Sequence, residues 1–407
     1  AILILGFLDF WPSVFGQMQI EELSRQSSNN TFDDLYDEKW QLIRNYIHSI
    51  DRRERAVASQ KPNDQNDFDL EQLQDLLCKR FPLGWLALDY IVSADKLLIC
   101  AFNQTYQRRF VLPLPPQFAR WIKESQKDSA AGDIYLRKLG NLLIPAEIQD
   151  KLHPDLTLLI SPHSEPLHNL PWPAIKVKKD YLIHQARPLL VPSLAIYQHL
   201  ASNQQSSQTF NLFVTAVSQF TNPAERRAEL PFVDQEVVNL NAAFGDRCTL
   251  LQNEEATFEN LRLASDKFDQ FNAWHIASHG FFNREFGDRI SGFALYDQDV
   301  YTAEIGQLAP LPETIFISAC SGLPLKVFAG DEISGLPATL LIHGAKTVIG
   351  CLWPVADQKA LEISKAFYDR WLDLPNESHL ERMTKVLREF TEQSIRVWGG
   401  YRIMGIG

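Results

Sequence analysis

From Asp155 onward, short unbroken apolar runs alternate with stretches in which apolar residues recur at helical spacing. The runs are LTLLIS (156–161), NLFVTAV (211–217), AWHIAS (273–278), TIFISA (314–319) and TVIGCL (347–352). They are rich in Ile, Leu, Val and Phe and lack polar alternation, the pattern of strands buried on both faces. Between them lie DQEVVNLNAAFG, which Gly245 should stop, and SGLPATLLIHG, ending at Gly344. The last long stretch, DQKALEISKAFYDRWLD, opens on Asp357, an N-cap type of residue. Strands alternating with helices imply an α/β fold, a doubly wound and mainly parallel sheet flanked by helices.

Upstream the pattern is different. DLEQLQDLLCKR reads as a helix, and GWLALDYIVSADKLLICAFN as two strands around the turn Ser93-Ala94-Asp95. YQRRFVLPLPPQ reads as a third strand, stopped by Pro113, Pro115 and Pro116, and 117–150 as helical. Before Phe68, apolar residues at Leu35, Trp40, Ile43, Ile47 and Ile50 suggest a peripheral helix, followed by the polar linker SQKPNDQND. Three segments result: a helical N-terminal region and linker over 1–66, a strand-and-helix part over 67–154, and the α/β core over 155–407. The opening AILILGFLDFW is shorter than the roughly 20 apolar residues that span a bilayer and has no basic leader. It reads as a buried segment at the end of a longer N-terminal part.

The formal net charge of −11 argues against a nucleic-acid partner, which needs a basic surface to displace counterions, and is compatible with a cationic peptide. Five cysteines, an odd number with no C-x-x-C pair, make neither a disulfide framework nor a zinc knuckle and point to a reducing cytoplasm. No Walker A, G-x-G-x-x-G or G-x-S-x-G motif is present, so no nucleotide or other cofactor is expected.

In open α/β sheets, ligands sit beyond the carboxyl ends of the strands. His279 stands just past AWHIAS and Cys320 just past TIFISA. If those strands are neighbours, about 5 Å apart, both side chains can face one crevice. An imidazole there can take the thiol proton, and the thiolate can attack a carbonyl. Gly280 allows close backbone approach, so its N–H and that of Cys320 are candidate donors to an oxyanion. Cys100 and Cys351, inside apolar runs, read as core, and so does His275, mid-strand. A metal pair formed by His275 and His279 is disfavoured, because the zinc-binding H-x-x-x-H motif needs a helix and a Glu after the first His.

Taken in order, WHIASHGFFN, ISGFALYDQDVYTAEI, TIFISACSG and AGDEISGLPATLLIHGAKTVIGCLWPVAD resemble the CHAT domain family, the caspase-like (clan CD) cysteine peptidases often attached to tetratricopeptide repeats in bacteria. LTLLISPHSEPLHNLPWPAI and the ending VWGGYRIMGIG are similar to its upstream half and C-terminus, so the resemblance runs from about Leu70 to Gly407. It implies a caspase-like core with His279 as general base and Cys320 as nucleophile, in a cysteine endopeptidase acting on a protein substrate. It also implies a regulatory protein partner or attached repeat domain in a bacterial regulatory or defence pathway, without a membrane. Asp331 and Glu332 fall where such peptidases read the residue before the scissile bond, and equally where a solvated helix begins. Cys320 is followed directly by Ser321-Gly322, one residue short of the family pattern, and the loop carries Pro324, Lys326 and Phe328. That departure leaves a catalytically inactive scaffold or binding module as the alternative.

Overall fold

The apolar runs do form strands, and every residue in those at 157–162, 212–216, 273–277, 314–317 and 347–351 is buried. The structure, a computed structural model, describes residues 69–93, 95–202, 210–220, 227–282, 291–308, 310–318, 326–327 and 333–407. In chain order the strands are β1 (Trp85–Ser93), β2 (Lys96–Phe102), β3 (Gln107–Pro113), β4 (Thr157–Pro162), β5 (Lys176–Val177), β6 (Asp180–Tyr181), β7 (Arg187–Leu190), β8 (Leu212–Ala216) and β9 (Cys248–Gln252). They continue as β10 (Ala273–Ala277), β11 (Gly280–Phe282), β12 (Ser291–Ala294), β13 (Asp299–Tyr301), β14 (Thr314–Ile317), β15 (Lys326–Val327), β16 (Ile333–Ser334), β17 (Thr347–Cys351) and β18 (Tyr401–Gly405).

Eleven of them make one sheet in the order β3-β2-β1-β4-β7-β18-β17-β14-β10-β8-β9. From β9 to β17 every neighbour is parallel, and so is every neighbour from β1 to β18 through β4 and β7. The sheet is therefore mainly parallel, with two departures. β1, β2 and β3 form an antiparallel meander at one end, and β17 and β18 are antiparallel, so two parallel blocks run in opposite directions. β11, β12 and β13 form a separate antiparallel sheet beside the end of β10.

Side chains alternate across each strand and feed two cores. Trp274, Ile276, Ile315, Ile317 and Val348 enter one. Ala273, Ala277, Phe316 and Ile349 enter the other, packing against Val237 and Leu240 of the helix Pro231–Phe244 and Ile363 and Phe367 of the helix Asp357–Asp373. Gly245, at a φ of 55°, does end the first of these helices. Asp357 differs from expectation: it is the first helical residue rather than the N-cap, which is Ala356, and its carboxylate accepts from the Phe232 N–H at 2.8 Å. The neighbouring helix start outcompetes its own backbone.

Candidate active site

β10 and β14 are parallel neighbours, with His275 opposite Phe316 and Ile276 opposite Ile317. The ladder runs one bond further, from the Ser318 N–H to the Ile276 carbonyl at 2.8 Å. His279 lies three residues past Ile276 (279 − 276), and Cys320 lies three past Ile317 (320 − 317) in the chain. Cys320 itself, Asp331 and Glu332 lie outside the described residues.

The backbone at His279 is held on both sides. Its carbonyl accepts from the Ala294 N–H at 2.8 Å, and the buried Ser278 hydroxyl donates to the Ala294 carbonyl at 2.6 Å. Gly280 then starts β11, paired with Phe293 of β12. The half-buried imidazole places Nε2 at 2.7 Å from the Ala228 carbonyl oxygen, with the Phe220 ring tilted over it at 4.9 Å between centroids. A carbonyl only accepts, so Nε2 carries the proton and Nδ1 is the basic nitrogen of the neutral ring. Ala228 is fixed downstream by the Leu230 N–H on the Ser218 carbonyl at 2.9 Å and by the Phe232 bond to Asp357. Burial raises the Asp357 carboxyl above its usual range, against the pull of the Phe232 N–H.

His275 is fully buried and faces elsewhere. Its Nδ1 lies 3.1 Å from the Tyr368 hydroxyl and its Nε2 3.2 Å from Glu236 Oε1. The Glu236 carboxylate also accepts from Ser318, at 3.0 and 3.1 Å, and from Ser364. His275 thus belongs to a polar network under the sheet edge, and the structure does not bring its ring together with that of His279. Among the described residues no group of three His, Cys, Asp or Glu could hold a metal ion, and no helix is long and apolar enough to cross a membrane.

Ala228, Phe220 and Glu236 were not read from the sequence. Ala228 contributes only a carbonyl, which any residue has, from 51 positions away. Glu236 left a signal, because it falls on the buried stripe Val233, Val237, Leu240 and Phe244 of its helix.

A family model for the CHAT domain matches residues 133–406 of the chain. This chain belongs to the CHAT domain family. No curated protein matches it in sequence. Two structures of the Saccharomyces cerevisiae separase–securin complex resemble this CHAT protein with TM-scores of 0.55 and 0.56 at 14% identity, over 83% of this chain and 30% and 31% of theirs. The CHAT chain thus spans under a third of the length of the separase chains it matches. Gingipain R of Porphyromonas gingivalis, an Arg-specific cysteine proteinase, gives a TM-score of 0.40 at 10% identity, covering 68% of this chain and 67% of its own. The caspase-like α/β class expected of the family is the fold this chain has.

Proposed function

We propose that this CHAT protein is a cysteine endopeptidase that cleaves a protein substrate through His279 and Cys320. The setting of His279 carries the reading. Its Nε2 is occupied by Ala228, its Nδ1 is the base, and the next parallel strand leads to a cysteine the same number of residues beyond the last pair. In the reaction Nδ1 takes the Cys320 thiol proton, and sulfur bonds to the scissile carbonyl carbon. The C–N bond then breaks as the imidazolium protonates the leaving amine, and water, activated by His279, releases the thioester. The N–H groups of Gly280 and Cys320 serve as oxyanion donors. Asp331 and Glu332 supply carboxylates for an Arg or Lys before the scissile bond.

The family resemblance supports control by a protein partner or signal in a bacterial pathway. The pairing of separase with securin supports a partner of that kind.

The test is cleavage of fluorogenic peptides carrying Arg, Lys, Asp, Leu or Met before the reporter. Cys320→Ala should abolish turnover, His279→Ala should lower it by about 10²–10⁴-fold, and Cys351→Ala should leave it intact. A preference outside Arg and Lys removes Asp331 and Glu332 from the reading but leaves the pair. Iodoacetamide labelling of Cys320 that is no faster than that of an ordinary thiol at mildly acidic pH, with no peptide cleaved, means an inactive scaffold.

A further inference from the structure

The residue just before Ala228, Arg227, is anchored by its side chain. Arg227 places Nη1 2.6 Å from Asp299 Oδ1 and donates from Nη2 to Oδ2 at 2.8 Å. Nη2 makes a charge-assisted hydrogen bond and Nη1 a close ion-pair contact, and both side chains are largely buried, at 19% and 11% exposure, so water screens them little. The guanidinium carbon lies 5.9 Å from the centroid of the Phe220 ring and 5.7 Å from that of Phe281. Phe220 is also the ring that leans on His279. Asp299 opens β13, which pairs with β12, which in turn pairs with β11, the strand that starts at Gly280. The pair therefore fastens the segment carrying the Ala228 carbonyl to the small sheet that continues from His279. The bonds of Leu230 and Phe232 hold that segment only from the other side.

We infer that Arg227 and Asp299 act as a clamp that keeps the Ala228 carbonyl on His279 Nε2, and so are positioning residues for the base. The inference rests on the reading of His279 as the base, but its first readout does not. An imidazole N–H held by a carbonyl exchanges slowly with water and is visible by proton NMR in protein labelled with ¹⁵N-histidine. His279→Ala assigns that signal. Arg227→Ala and Asp299→Asn should each erase it, while the ring N–H of half-buried His379, bonded to Thr314, persists and shows that the fold is intact. Arg227→Lys, which keeps the charge but not the fork, should retain the signal in part. On a cleaved peptide, kcat should fall about tenfold in both clamp variants with KM unchanged, the result of misplacing a catalytic group. The double variant should be no worse than either single one, because both remove the same contact.

A His279 signal that survives at full strength in Arg227→Ala and Asp299→Asn overturns the clamp. Simultaneous loss of the His379 signal overturns it too, since the pair is then a general structural tie. Undiminished cleavage by His279→Ala is a different result: it removes the proposed dyad while the ring-proton measurement still decides what holds the imidazole.

Discussion

At Glu236, 3% exposed, a carboxylate is held by two serine hydroxyls beside the His275 ring. Each hydrogen bond to a charged group is worth about 1.5–3 kcal/mol. Taking the carboxylate out of water costs several kcal/mol. The two sides nearly cancel, so the intact network adds little stability, but removing its acceptor strands the Ser318 hydroxyl, takes one partner from Ser364 and leaves a hole beside His275. Glu236→Ala should therefore lower unfolding free energy by about 1–3 kcal/mol in urea titrations, and Glu236→Gln, which still accepts, by clearly less. Equal losses in the two would show that the charge rather than the hydrogen bonds matters. At this scale the places of the histidines were legible in the sequence from one apolar run: His275 within the strand, His279 past its end. The partners that orient them were not, since a carbonyl at Ala228 and a salt-bridge partner at Asp299 acquire meaning only once the chain has folded.

Among the elements, the helix Ala130–Leu143 makes a close backbone approach that a glycine permits. A Cβ at Gly140 would stand 1.9 Å from the Lys176 carbonyl oxygen in β5. Alanine favours a helix over glycine by about 1 kcal/mol, yet the obstacle is main chain and cannot swing aside. Gly140→Ala should be destabilising by about 1–3 kcal/mol, read from the urea midpoint; a gain in stability would mean that the helix can shift off β5. The buried strands announced themselves by composition, because a strand covered on both faces has no room for polar alternation. β18 did not. Its sequence YRIMG carries Arg402 at 2% exposure and follows Gly399-Gly400, so it lacks the unbroken apolar run of the other buried strands. Only the pairing to β17 and β7 makes it a strand.

At the scale of the whole molecule, two histidines among the described residues contribute to the response to acid. Burial, then the nearby Arg402 cation, pushes His168 down to about 3, and burial and Arg382 hold His379 well below its ordinary value. Arg382 donates to His379 Nδ1 at 2.8 Å, a bond only the neutral ring can accept. An unfolded histidine takes its proton near pH 6.5, so below that pH the unfolded chain binds more protons. The stabilising contribution is complete above pH 6.5 and declines as pH falls, down to about 3 for His168. That residue alone should cost about 2 kcal/mol between pH 6.5 and 5, and His168→Leu should flatten the fall in urea midpoint; an unchanged slope would place the acid response elsewhere. The reversal of direction between β17 and β18 has a consequence in time as well as in space. Residues 401–405 are the seam between the two parallel blocks, yet they are made after every strand on either side. On the ribosome, the block bearing His279 and the block bearing β1 must wait, each with an open edge, until that last strand emerges and closes the sheet. A chain stopped at residue 398 should be digested rapidly by added protease, whereas one carried through 407 resists. Synthesis itself would then withhold the closed sheet from any copy that stops before β18.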